Sequence, residues 1–221
     1  MLKNIYRNKL AVKFKEAFEL AYWKITKKRD KPFGNEHYEY FYTDYFQLKS
    51  EFYKGKKILD IGCGPRGSLE WAEEAEQRIG LDPLANAYMG LGASKHKMTY
   101  VSDYVENMPF DNEFFDVICS FNSLDHVGDL KESCKQIERV LKPGGLFLLI
   151  VDIHKYPTPT EPQQLPWDFI ESYFPGFEVL DKKRLKSRGA GKIYSNLKRS
   201  DFKPEGEYGN GILTAKLQKR L

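Results

Sequence analysis

Gly62, Gly64 and Gly67 follow an apolar, β-branched run, Ile58-Leu59-Asp60-Ile61. This G-x-G-x-x-G spacing suits a strand that ends in a sharp turn, where glycine lets a ligand approach the backbone and N–H groups face it. An acid, Asp82, lies about 20 residues after the first glycine, the distance at which such sites place a carboxylate on a ribose. These residues imply a nucleoside cofactor. Asp60, two positions before Gly62, narrows its kind. A carboxylate beside a diphosphate repels it, whereas the same carboxylate orients the loop and attracts an ammonium group. The pairing of Asp60 with the glycines therefore favours a cofactor that carries an amine over a dinucleotide.

Four histidines are candidates for proton transfer. His126, in Leu124-Asp125-His126-Val127, and His154, just past an apolar strand, fall at the ligand-facing edge expected of a parallel sheet. Either has the pKa range of a general base for an O or N acceptor, and either is equally explained as a histidine bonded to its surroundings. His37 and His96 read as surface residues. The three cysteines, Cys63, Cys119 and Cys134, are odd in number and form no C-x-x-C pair. That argues against structural zinc and for a reduced, cytoplasmic protein, with Cys63 a small filler in the glycine loop. No run of His, Cys and Asp has metal-ligand spacing, so no catalytic metal is expected.

The elements that must hold these residues alternate regularly. Strands are expected at Lys57–Ile61, Arg78–Leu81, Met98–Ser102, Phe115–Phe121 and Leu146–Val151. Helices are expected at Ser68–Glu76, Pro83–Gly90 and Asp129–Leu141, the last with Asp129 as N-cap and Lys142-Pro143-Gly144-Gly145 as its stop. Such alternation means βαβ units and a parallel sheet covered on both faces. After a loop broken by Pro157, Pro159, Pro162 and Pro166, a short helix at Trp167–Tyr173 is expected. Strands at Phe177–Leu185 and Gly211–Lys219 then read as an antiparallel edge pair. Ahead of the core, Asn4–Lys28 reads as an amphipathic helix with Ile5, Leu10, Phe14, Phe18, Ala21, Tyr22 and Ile25 on its apolar face. A break with Pro32 and Gly34 follows, and then a tyrosine-rich helical segment from Asn35 to Phe52. That segment serves equally as a lid or as packing against the sheet.

With 221 residues, 41% hydrophobic and 30% charged, the chain fits one soluble α/β unit plus an addition. We divide it into a helical extension or lid, residues 1–55, and a core, residues 56–221. Net charge is +4, but Lys56–Ile153 holds about 10 basic and 16 acidic residues, which leaves the two ends basic. Charges at Lys9, Lys13, Lys15 and Glu16 interrupt any signal-peptide core, and no apolar run approaches the ~18 residues of a membrane span.

In this order the motifs resemble the class I S-adenosylmethionine-dependent methyltransferases, of the methyltransferase type 11 kind. Ile58 to Gly64 is similar to the family's Leu-Asp-x-Gly-x-Gly, and Gly80-Leu81-Asp82 to its second motif. Met108-Pro109-Phe110 with Phe115-Asp116-Val117-Ile118 is similar to the approach to strand four. Val140-Leu141-Lys142-Pro143-Gly144-Gly145 is similar to the turn before strand five. The resemblance covers Lys56 to Ile153. It implies a Rossmann-like, doubly wound, seven-stranded sheet whose last strand is antiparallel, with S-adenosylmethionine as methyl donor and S-adenosylhomocysteine as product. It places Asp60, Gly62, Cys63 and Gly64 at the methionine part, Asp82 and Pro83 at the ribose, and Ser120, Phe121 and Asn122 beside the reacting methyl. It also gives His126 a place facing the acceptor. The adenine-binding acid falls on Tyr104 when counted from Met108, with Asp103 one residue earlier, so either residue takes that role.

The expected function is methyl transfer to an O or N atom of a small or peptide-derived metabolite. An RNA or protein acceptor met by the basic ends is the alternative. Strand four ends in Ser120-Phe121-Asn122-Ser123 and not in the Asn/Asp-Pro-Pro-aromatic motif of nucleobase methylation, which makes a nucleic-acid partner the weaker reading.

Overall fold

The run Lys57–Ile61 forms β1, buried from Ile58 onward, at the centre of a seven-stranded sheet. In this computed structural model the described residues are 9–30, 34–187, 193–197, 203 and 209–221. The other strands are β2 (Gln77–Leu81), β3 (Thr99–Val101), β4 (Phe115–Phe121), β5 (Leu141–Ile153), β6 (Phe177–Lys186) and β7 (Gly211–Lys219), in the order β3-β2-β1-β4-β5-β7-β6. Pairs among the first five are parallel, and β7 runs antiparallel to both β5 and β6. This is the Rossmann-like doubly wound sheet expected from the alternation. The order reverses between β1 and β4, so the ends of those strands border the crevice where such sheets take ligands. β4 reads Phe-Asp-Val-Ile-Cys-Ser-Phe and is buried along nearly its whole length, as a strand covered on both faces must be.

The helices are α1 (Lys9–Arg29), α2 (Tyr38–Tyr42), α3 (Ala85–Tyr88), α4 (Leu130–Val140), α5 (Phe169–Tyr173) and α6 (Ile193–Asn196). Asp129 caps α4 as expected, its carboxylate accepting the Glu132 N–H at 3.0 Å. One face of α4 carries Leu130, Cys134 and Ile137 into the core beside Phe115 and Leu149.

Three expectations are corrected. Ser68–Glu76 is a chain of turns and not a helix. It is held by Glu70, whose carboxylate accepts the N–H groups of Lys97 and Met98.

Asn35–Phe52 is likewise broken, into α2 and two 3-10 turns. The Tyr42 carbonyl, which a continuous helix would bond to Phe46 N–H, instead accepts the Tyr53 hydroxyl, and Phe46 N–H goes to Thr43. Gln47 then takes a left-handed conformation, φ 57°. The aromatics of this segment bury all the same, Tyr42, Phe46 and Tyr53 packing in one cluster with Ile58 and Phe121.

The third correction concerns α1. Its apolar stripe faces outward, with Phe14 79%, Phe18 64%, Tyr22 55% and Ile25 67% exposed. The face over the sheet's ligand edge carries Lys15, Glu16, Glu19 and Trp23, with Phe18 and Tyr22 at its margin. Asn4, Ile5 and Pro32 lie outside the described residues.

Candidate functional site

At the end of β1 the backbone must turn within its first step. Gly62 does so at φ 71°, and a Cβ there would overlap the Ser123 side chain. Gly64 follows at φ 58°, in contact distance of the Trp23 indole from α1. Both conformations favour glycine, and the second leaves room for a ligand only because no side chain fills it. Beneath the loop Cys63 packs against Gly80, and burial pushes its thiol well above the usual range. The Cys63 side chain fills the space between the loop and Gly80.

Two buried carboxylates flank this turn. Asp60, 2% exposed, accepts from the Tyr42 hydroxyl at 2.9 Å and from the Ser68 hydroxyl. Asp82, 4% exposed at the end of β2, accepts the Gly64 N–H at 3.2 Å and the Leu84 N–H at 2.9 Å. Burial pushes each carboxyl up to about 7, against the hydrogen bonds that favour the charged form. Both line a cavity of about 1250 Å³. A cleft with two such acids disfavours a diphosphate and suits an amine at one end and hydroxyl donors at the other. These residues fit the cofactor that the sequence resemblance implies.

The cavity runs from this turn toward β4. Gly62, Cys63, Gly64, Pro83, Tyr104, Phe121, Asn122 and His126, all singled out from sequence, line it. Ser120 is fully buried behind the wall and bonded to Ser123 at 2.8 Å. Asp103 is not among the lining residues. Its carboxylate accepts the backbone N–H of Tyr104 at 2.8 Å, so it holds the residue that does face the cleft. The Tyr104 hydroxyl in turn donates to Glu16 of α1.

The far end of the cleft is assembled from distant segments. Asn122 adopts φ 56°, a left-handed position that Asn tolerates, and the chain enters a 3-10 turn at Leu124–His126. His126 lines the cavity, whereas His154 sits behind, its Nε2 3.3 Å from Asp125 Oδ2 and 3.4 Å from Glu161 Oε2. The Asp125 carboxylate holds the His154 imidazole above its usual pKa. Asp152, also on the wall, is pushed up to about 7 by burial. Gln163 fastens the proline-rich loop to this turn by donating to the Val127 and Gly128 carbonyls.

Sequence reasoning missed Lys15, Glu19, Trp23 and Asp152 as parts of this wall, which Glu161 of the proline-rich loop completes. Lys15, Glu19 and Trp23 recur at four-residue intervals, so the spacing marks one helix face. It does not say that this face looks inward. Burial lowers the Lys15 pKa while Glu19 and Asp125 oppose the change, and its ammonium donates to the His126 carbonyl.

A family model described as a methyltransferase domain matches residues 59–149. Among curated proteins, the chain is 28% identical to the chloroplastic tocopherol O-methyltransferase of Arabidopsis thaliana, over 52% of this chain and 35% of that one. It is 32% identical to the ubiquinone biosynthesis O-methyltransferase of Vibrio vulnificus, over 46% of each. The chain thus spans less than half the length of these relatives. A solved structure described as a putative S-adenosylmethionine-dependent methyltransferase from Listeria monocytogenes superposes with a TM-score of 0.57 at 17% identity. That match covers 84% of this chain and 99% of the other, and it agrees with the fold.

Proposed function

As a member of the class I S-adenosylmethionine-dependent methyltransferase family, the chain, we propose, transfers a methyl group to an O or N atom of a small or peptide-derived metabolite by in-line displacement. The observation that carries this reading is the pair of buried carboxylates, Asp60 and Asp82, on either side of the Gly62–Gly64 turn. When bound, S-adenosylmethionine supplies an electrophilic methyl group on a sulfonium. The residues of this chain hold and orient. Asp82 accepts the ribose hydroxyls, with Pro83 beside it. Asp60 attracts the amine, and Gly62, Cys63 and Gly64 admit the methionine part. Tyr104 closes the adenine end, positioned through Asp103. Phe121 and Asn122, backed by Ser120, border the reacting end.

Positioning of donor and acceptor accounts for most of the acceleration, about 7–11 kcal/mol at best. His126, on the cleft wall, takes the acceptor proton where one must be lost. His154 positions Asp125 and does not touch the cleft itself. Residues 1–55 act as a lid on the 56–221 core, a division supported by the α1 side chains that line the cavity.

An oxygen acceptor on a small molecule is favoured by the two relatives, both named as O-methyltransferases, and by a cleft roofed by α1. The last turn of α1, Lys27-Lys28-Arg29, supports an RNA or protein acceptor as a second reading. Among the described residues no helix is long and apolar enough to cross a membrane. Incubation with methyl-tritiated S-adenosylmethionine and a fractionated cell extract separates the readings. Label is expected in the low-molecular-weight fraction, and label confined to RNA or protein contradicts the first reading.

A further inference from the structure

The far end of the cleft contains acceptor atoms that nothing among the described residues satisfies. Asn122 Oδ1, Asp125 Oδ1 and His126 Nε2 are all buried, and none has a hydrogen-bond partner there. Asp125 is 0% exposed. Leaving one such atom unmet costs about 1–3 kcal/mol, so three within a five-residue turn call for a positive or donating ligand. Glu161 reaches the same place from the proline-rich loop. One ligand atom each from Asp125, His126 and Glu161 lie within 4.8 Å of one another. Ligand atoms that share a tetrahedral divalent ion at about 2.1 Å lie roughly 3.4 Å apart, so side-chain rotation of up to about 1.4 Å draws the set together.

We propose that Asp125, His126 and Glu161 bind a divalent transition-metal ion at the acceptor end of the cleft. Two carboxylates and one imidazole form a mixed O/N donor set, suited to manganese or zinc and less to calcium. Supporting groups are already in place. His154 Nε2 lies 3.3 Å from Asp125 Oδ2 and 3.4 Å from Glu161 Oε2, and carboxylate–imidazole contacts of this kind orient metal ligands. The Thr158 hydroxyl lies 3.2 Å from Glu161 Oε2, and Gln163 holds the loop on the turn. The charge balance fits as well. The carboxylates of Asp125 and Glu161 converge on this point, and Asp152 lines the same wall. Sequence spacing argued against a metal because Glu161 lies far along the chain from Asp125 and His126. The fold removes that objection.

The site itself stands apart from the methyl-transfer reading, whereas its use rests on it. The open coordination positions of the ion would hold an acceptor oxygen and lower its pKa, easing loss of the proton; with the ion bound, His126 serves as a ligand in place of acting as the base.

Titration of the full chain with MnCl2, followed by the loss of the free Mn(II) signal in electron paramagnetic resonance, tests the site, with ZnCl2 as competitor. One ion per chain is expected. Glu161→Gln is expected to weaken binding at least tenfold, while calorimetry shows S-adenosylhomocysteine binding unchanged. No binding of either ion by the parent chain, or equal binding by Glu161→Gln, overturns the proposal. If Mn(II) binds and S-adenosylhomocysteine does not, the metal site survives and the methyl-transfer reading fails.

Discussion

The two halves of the cleft are built differently. The cofactor half comes from the ends of β1 and β2, neighbours in the sheet, with the Gly62–Gly64 turn and Asp82 bonded directly to one another. The acceptor half joins α1, the Asn122–His126 turn and the proline-rich loop, and its carboxylates and imidazoles reach each other across long stretches of chain. The first half is determined by local geometry, so short sequence spacing encodes it. The second depends on how three separate segments are folded together, and substitutions there alter selectivity without touching the turn. A shared cofactor site with variable acceptor sites follows naturally from that division.

If the contrast holds, the most severe effect comes from the turn. Gly62→Ala adds left-handed strain and an overlap with Ser123, a loss of about 2–5 kcal/mol. Gly90→Ala, which meets nothing within 4 Å, stays near neutral. Urea denaturation of the two variants reads the difference directly. Next comes Asp82→Ala, which removes the acceptor for two hydroxyl donors at about 1.5–3 kcal/mol each. S-adenosylhomocysteine affinity is expected to fall about 100-fold or more, a result calorimetry can check.

The third effect is a pH dependence. Asp60 and Asp82 are each pushed up to about 7 and must be ionised to meet an amine and hydroxyl donors. S-adenosylhomocysteine affinity therefore rises between pH 6 and pH 8, about tenfold for each carboxylate involved. The free protein moves the other way. Its native state keeps protons that the unfolded chain gives up near pH 4, so stability falls as pH rises from about 4 to 7. Asp60→Asn flattens that fall in a series of thermal melts. Smallest is Phe14→Ser on the outward face of α1, within about 0.5 kcal/mol of the parent chain. A larger loss in urea would restore the inward apolar stripe.

What was legible in the sequence follows the same division. Strands β1 and β4, the α4 cap at Asp129 and the antiparallel β7 were all readable, because each is set by a local pattern of apolar, turn or capping residues. Ser68–Glu76 was not, since its turns are held by contacts from outside the segment, Glu70 accepting the N–H groups of Lys97 and Met98. The periodicity of α1 correctly gave a helix but not which face turns inward. That choice depends on partners such as His126 and Tyr104, about a hundred residues away. The meeting of Glu161 with Asp125 is encoded by no local spacing, because it is the loop's attachment through Gln163 that brings the two together.

The central claim is that the Gly62–Gly64 turn, with Asp60 and Asp82, is a site for a cationic nucleoside and not for a dinucleotide. Calorimetric titration of the full chain with S-adenosylhomocysteine and, separately, with NAD tests it most directly. The account predicts saturable binding of the first and at least 100-fold weaker binding of the second. Binding of NAD as tight as that of S-adenosylhomocysteine would contradict it.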